Sequence, residues 1–318
     1  MTDPGTAAAG ASVQADQFVT GAEHAEGSPG KPRSLASDAW HDLRRRPLFI
    51  ISAVIILIIL VMAAFPGLFT SVDPTYSLLE RSRDTPSAEA WFGYDNQGAD
   101  IFARVIYGAR ASVIVGICAT VLTVLIGGTL GLLAGYFGGW LDELMSRIAD
   151  VFFGLPFVLG AIVILTSFGS GSGFGAFQIM FLVIVSIALL SWPVCMRIMR
   201  SAAITARNQD YVRAARALGA SPRRIIVRHI LPNALAPVLV YATIALGAFI
   251  GAEATLSFLG LGLRAPVVSW GVMIADSRDL VRVAPHTLLF PAAFLTVTVL
   301  AFVMLGDAVR EALDPKAR

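Results

Sequence analysis

Apolar residues in this chain come in long blocks, not in the alternating or three-and-four spacing of a half-buried element. The first block, Leu48 to about Phe69, follows Arg44-Arg45-Arg46 and is 22 residues long. A cleaved signal needs an apolar core of only about 7–15 residues, whereas a hydrocarbon layer of about 30 Å takes roughly 20, so this block reads as an uncleaved first span. Further blocks near 110–135, 147–168, 177–197, 234–258 and 287–308 have the same capacity. The pattern predicts an all-α polytopic membrane protein with six transmembrane helices.

Residues 1–39 are rich in Ala, Gly, Ser and Asp and show no apolar period, which predicts a disordered tail ahead of a membrane domain at 40–318. Composition excludes the main alternatives. Of 318 residues, 56% are hydrophobic and 14% charged, where soluble domains carry about 25% charge. A soluble enzyme, a disordered chain and a secreted disulfide scaffold are all excluded. Cys118 and Cys195 both lie in apolar stretches, so neither a disulfide framework nor a paired-cysteine metal site is expected. A net charge of +2 is too small to imply a nucleic-acid partner.

The distribution of charge sets the expected orientation. With the N-terminus inside, 17 of the 24 basic residues fall on that side and 7 on the other, so both termini are expected to be cytoplasmic. Residues 70–107 and 259–286 then form the outer connections. The bias is concentrated between the fourth and fifth spans, where Arg197, Arg200, Arg207, Arg213, Arg216, Arg223, Arg224 and Arg228 face the single acid Asp210. Attraction to anionic lipid explains part of such a cluster, but not the order of residues within it.

That order, across 205–232, predicts two helices and a corner. Asn208 is placed to cap the first helix, with Asp210 in its first turn, where the helix dipole favours an acid. Gly219 supplies the left-handed position that ends it. Ser221-Pro222 then begins a second helix expected to run to a break at Pro232. The first helix presents Ala214, Ala215 and Leu218 on one face, between Arg213, Arg216 and Tyr211. Physics alone leaves two readings: a helix seated in a groove of another protein, or one lying on lipid.

Ala214-Ala215, Gly219 and the later Leu231-Pro232 resemble the EAA loop of ABC-importer permeases. Phe92-Gly93-Tyr94-Asp95, Gly98-Ala99-Asp100 and Tyr107-Gly108-Ala109-Arg110 are similar to the stretch before the second span in the dipeptide/oligopeptide branch. Ser257-Phe258-Leu259-Gly260-Leu261-Gly262, Ser269-Trp270-Gly271, Ala284-Pro285 and Phe290-Pro291 are similar to that branch's last outer connection. The ordered set spans about 40–315 and resembles the DppC/OppC-type subunit. Arg213 stands where the loop has its glutamate, and Ala99 where the outer stretch usually has arginine.

The resemblance implies a type I ABC-importer permease fold in a bacterial inner membrane and a heterodimer with a homologous second permease. It further implies two cytoplasmic ATPase subunits or domains that bind ATP and Mg, an extracytoplasmic substrate-binding lipoprotein, contact with membrane lipid and a peptide substrate. Relatives that carry nickel, haem or other small solutes keep that substrate open. The implied coupling residues are Asp210, Tyr211, Arg213, Ala214, Ala215, Leu218, Gly219 and Ala220, and the implied path residues are Thr243, Ile244, Gly247 and Glu253.

Enzymatic readings find no motif. A phosphate loop is missing, because Gly30-Lys31 is followed by Pro32. Intramembrane proteolysis fails as well: Gly169–Gly173 has Ser170 where a glycine is required, Gly306-Asp307 has Met304, and His-Glu-x-x-His does not occur. No catalytic or metal-ligating residue and no cofactor of the chain's own is expected. A secondary transporter would want repeats and buried acids, and Glu253 is the acid to weigh, either as a functional group or as a brace for the turn that follows it. Gly127, Gly131 and Gly135 read as a close helix contact, and Pro156 and Pro193 as kinks.

Overall fold

The computed structural model describes residues 43–169 and 175–313; the tail expected at 1–39 and the stretch Ser170–Gly173 lie outside them. The described residues form, besides three short 3-10 turns, nine longer helices: α1 Pro47–Ala64, α2 Ile101–Phe137, α3 Gly139–Phe153, α4 Phe157–Gly169, α5 Ala176–Arg207, α6 Asp210–Ala217, α7 Pro222–Phe258, α8 Trp270–Ser277 and α9 His286–Leu313. Among them only two isolated antiparallel bridges occur, Ser77 with Ala99 and Tyr94 with Asp100. Five helices are long and apolar enough to cross a membrane, and the count is six if the bent pair α3–α4 is taken as one span.

Element limits differ from the apolar blocks where packing or backbone chemistry overrides hydropathy. α2 starts nine residues before its block, because Asp100 accepts from the Ala103 amide at 3.1 Å and Ile101, Val105 and Ile106 are buried. Its 37 residues reach about 55 Å, well beyond a hydrocarbon layer. The block at 147–168 is no straight span: α3 and α4 meet at 89° across Gly154–Pro156, where proline disfavours a helical residue before it. The break expected at Pro232 is absent. A π-turn at Ile226–Ile230 carries the helix through it, with the Leu231 amide bonded to the Ile226 carbonyl and the Asn233 side chain donating to the His229 carbonyl at 2.7 Å. The wider turn accommodates a residue that has no N–H to offer.

α2 and α5 form the central contact, and the recurrent glycines are its cause. A Cβ built on Gly127 would lie 2.5 Å from the Trp192 carbonyl oxygen, one on Gly131 2.4 Å from that of Met196, and one on Gly135 2.7 Å from that of Arg200. Each step of four on α2 is matched by a step of four on α5, so the two backbones run in contact for three turns. Above this seam Ile56, Ile59 and Met62 of α1 meet Ile101 and Val105 of α2, Ile250 of α7, Trp270 of α8 and Phe302 of α9. Arg110 reaches across to the carbonyls of Ala63 and Ala64 at 3.0 and 3.1 Å and so closes the end of α1.

Arg46, just before α1, pairs with Glu311 near the end of α9, which puts both ends of the membrane unit on one face. The outer surfaces of the spans stay apolar. Only 28% of the α1 window and 22% of the α9 window are buried, so these faces need lipid or another apolar chain.

Candidate functional site

Arg310, next to Glu311, lines a groove with Ile198 of α5 and Pro237 of α7, so the end of the unit that carries Arg46 and Glu311 also carries the arginine-rich connection. α5 runs on to Arg207, which displaces the expected cap: Asn208 closes α5, and α6 begins at Gln209-Asp210 without a side-chain cap. The end of α6 follows the expected chemistry. Gly219 has φ +79°, the Gly219 amide bonds the Arg216 carbonyl and the Ala220 amide bonds that of Ala215, the paired closure of a left-handed helix end. Ser221 Oγ accepts from the Arg224 amide at 3.4 Å, Pro222 takes the first helical position, and α7 begins.

A single residue seats the helix. Val212 is fully buried among Tyr136 of α2, Met199, Ala203 and Ala206 of α5, and Ile225 and Ile230 of α7. Its opposite face is open: Leu218 is 88% and Tyr211 42% exposed, Ala214 is exposed and Ala215 half-buried. Asp210 and Arg213 pair one turn apart, Oδ1 to Nη1 3.7 Å, both at the surface. The result is a short helix pinned from beneath, with an apolar and small-residue crest between charged shoulders.

The arginine cluster divides into two parts, which its sequence does not show. Arg197 holds Asp150 of α3 at 2.6 Å and lies 3.9 Å from the Phe153 ring centroid. Arg200 grips both carboxylate oxygens of Asp142, Nη2 to Oδ2 2.6 Å. Arg207 donates to the Tyr136 carbonyl at 2.8 Å. These three clamp α2, α3 and α5 together, whereas Arg213, Arg216, Arg223, Arg224 and Arg228 are exposed around α6. The only signal for the clamp was a pair of acids, Asp142 and Asp150, on either side of an apolar block's start.

The four path candidates do not share one surface. Ile244 helps line a groove of about 460 Å³ with Ile198, Pro237, Val240, Tyr241 and Arg310. Thr243 is half-exposed beside it on α7, its hydroxyl turned back to the Leu239 carbonyl at 2.9 Å. Gly247 belongs elsewhere: a Cβ there would lie 2.9 Å from the Phe302 side chain and 3.0 Å from the Val299 carbonyl, so it serves the α7–α9 contact. Glu253 is fully buried and accepts hydroxyls from Ser112, Ser257 and Ser269. It lies at the turn that follows α7, with none of its surface exposed.

Comparison with known proteins covers nearly the whole chain. The family model described as "Binding-protein-dependent transport system inner membrane component" matches residues 127–318, and that described as "N-terminal TM domain of oligopeptide transport permease C" matches 34–90. The dipeptide transport system permease protein DppC of Alkalihalophilus pseudofirmus is 41% identical over 88% of this chain and 90% of its own. The oligopeptide transport system permease protein OppC of Bacillus subtilis is 38% identical over 91% and 92%. The glutathione transport system permease protein GsiD of Pectobacterium atrosepticum is 36% identical over 88% and 90%. Among solved structures, a chain of the MetNI methionine ABC transporter in an inward-facing conformation superposes with a TM-score of 0.53 at 21% identity, over 66% of this chain and 96% of its own, a likeness of fold.

Proposed function

Because the chain belongs to the family of binding-protein-dependent transport inner-membrane components, in its DppC/OppC branch, we propose that it forms half of the path for di- and oligopeptides in an ATP-driven importer and takes its drive through α6. As an ABC-importer permease of the type I fold it is a multi-pass inner-membrane protein that works with ATPase and substrate-binding partners. In our reading those partners are a homologous second permease, two cytoplasmic ATPase subunits or domains holding ATP and Mg, and an extracytoplasmic binding lipoprotein, and the face with Arg46, Glu311 and α6 is cytoplasmic.

One observation carries the coupling role. α6 is fixed to α2, α5 and α7 through Val212 while its crest of Tyr211, Ala214 and Leu218 is exposed. An ATPase that closes on ATP and holds the crest would move α6, and α6 is joined at a rigid corner to α7, which runs without a break into the membrane. The chain supplies no chemistry to ATP in this scheme; it receives a displacement. The peptide substrate is supported by the names of the relatives, whose transported species are dipeptides, oligopeptides and glutathione.

The test is uptake of a labelled dipeptide by cells expressing the whole importer, measured with ATP depleted and, separately, with the proton gradient collapsed. Loss on ATP depletion alone is expected. Loss on collapse of the gradient with ATP maintained would favour an ion-coupled carrier. Uptake of nickel or haem in place of peptide would keep the importer and change its cargo.

A further inference from the structure

Glu253 lies at the outer end of α7, and three separate stretches of the chain close on it. Ser257, one turn further along α7, donates to Oε1 at 2.8 Å; Ser269, which caps α8, donates to Oε1 at 3.0 Å; Ser112 of α2 donates to Oε2 at 3.0 Å. All four residues are at most 2% exposed. Each hydroxyl oxygen also accepts a backbone N–H: Leu263 on Ser257 at 2.9 Å, Val272 on Ser269 at 3.2 Å, and Trp270 on Ser112 at 3.4 Å. A hydroxyl has one proton to give, and here each gives it to the carboxyl. The cage therefore consists of donors only, and it calls for a group that accepts at both oxygens.

The surroundings bring the backbone of α8 down onto this cage. A Cβ on Gly271 would lie 2.6 Å from the Ala254 Cα, and one on Gly262 2.6 Å from the Ser257 amide. Trp270, fully buried, donates from Nε1 to the Val105 carbonyl at 3.0 Å. Two amides at the start of α8, those of Trp270 and Val272, bond the Ser112 and Ser269 hydroxyls that in turn hold the carboxyl. The outer connection is thus tied to α2 and α7 around one acid that has no basic partner among its contacts.

We propose that Glu253 is a positioning residue of the transport cycle: by accepting from Ser112, Ser257 and Ser269 it locks the outer connection 259–277 onto α2 and α7, so that these move as one body. Glutamine fills the same volume but offers one acceptor oxygen where the carboxyl offers two, so a serine hydroxyl on one side of the cage loses the acceptor for its proton. A space-filling role is satisfied by glutamine and a locking role is not.

The experiment uses the complete importer in proteoliposomes, with Glu253→Gln and, independently, Ser112→Ala, and reads backbone hydrogen exchange together with dipeptide uptake. The uptake readout rests on the function proposed above, whereas the exchange readout does not. With the lock lost, amides in 259–277 are expected to exchange about tenfold faster, the factor for one buried hydrogen bond, while α6 keeps its protection. Uptake is expected to fall by a similar factor, with the ATPases still bound. Unchanged exchange and uptake in Glu253→Gln would overturn the proposal, as would faster exchange spread evenly over all helices, or faster local exchange with normal uptake. If Glu253→Gln does not assemble, Ser112→Ala decides: a local rise supports the lock and wild-type exchange refutes it.

Discussion

Arg200 on α5 holds Asp142 on α3 through both carboxylate oxygens, with Nη2 2.6 Å from Oδ2. The pair sits beside the last glycine of the α2–α5 seam, since Gly135 is packed against the Arg200 backbone itself. It shows that part of the arginine cluster is structural: Arg197, Arg200 and Arg207 secure the base on which α6 rests, and Arg213, Arg216, Arg223, Arg224 and Arg228 are left at the surface.

Arg200→Lys keeps the charge and loses the two-pronged geometry, so it is expected to lower stability by about 1–2 kcal/mol. Asp142→Asn should cost a similar amount, and the double variant less than the sum of the two. Thermal unfolding of the purified chain in detergent checks this, and strict additivity would show that the two residues do not act together.

Gly131→Val tests the seam. With the Met196 carbonyl oxygen 2.4 Å from the position of a Cβ, the helices must separate, at a cost of about 1–3 kcal/mol. Lower thermal stability and easier proteolysis of the membrane unit are expected. A variant as stable as the parent would mean that α2 and α5 are not in backbone contact.

Val212 and Leu218 lie on the buried and open sides of one turn-and-a-half of chain, and the same substitution should affect them differently. Val212→Asp buries an unpaired carboxyl and is expected to loosen α6, seen as rapid amide exchange over 210–217. Leu218→Asp leaves exchange within α6 as it was and weakens retention of the ATPases by at least tenfold on an affinity column. Equal retention in Leu218→Asp and the parent would remove the crest from the contact.

Much of this was legible in the amino-acid order, for identifiable reasons. Hydropathy located the spans because lipid imposes one requirement on every residue of a block, and Gly219 and Ser221-Pro222 were readable because their roles depend on local backbone chemistry. The continuity of α7 through Pro232 was not, since a π-turn that absorbs a proline depends on the turn before it and leaves no hydropathy signal. The division of the arginines was hidden because it depends on where α3 lies in space. Gly247 and Glu253 were assigned to a path for the same reason: a small residue or an acid in an apolar block fits a lining or a contact equally well until its neighbours are known. Glu253 found its neighbours 141 residues earlier, at Ser112, and 16 later, at Ser269.

If α6 transmits the ATPase movement through the corner at Gly219, dipeptide-stimulated ATP hydrolysis and uptake must part in importers carrying Gly219→Val but not in those carrying Gly219→Asn. Gly219 has φ +79° and nothing within 4 Å of a Cβ position, so a side chain there clashes with no neighbour and strains only the corner. Valine in that conformation costs about 1–2 kcal/mol, and asparagine tolerates it better. The expected result is an assembled Gly219→Val importer that still hydrolyses ATP, with uptake and its stimulation of hydrolysis at least tenfold lower, and a Gly219→Asn importer close to the parent. Normal coupled uptake by Gly219→Val would contradict the claim.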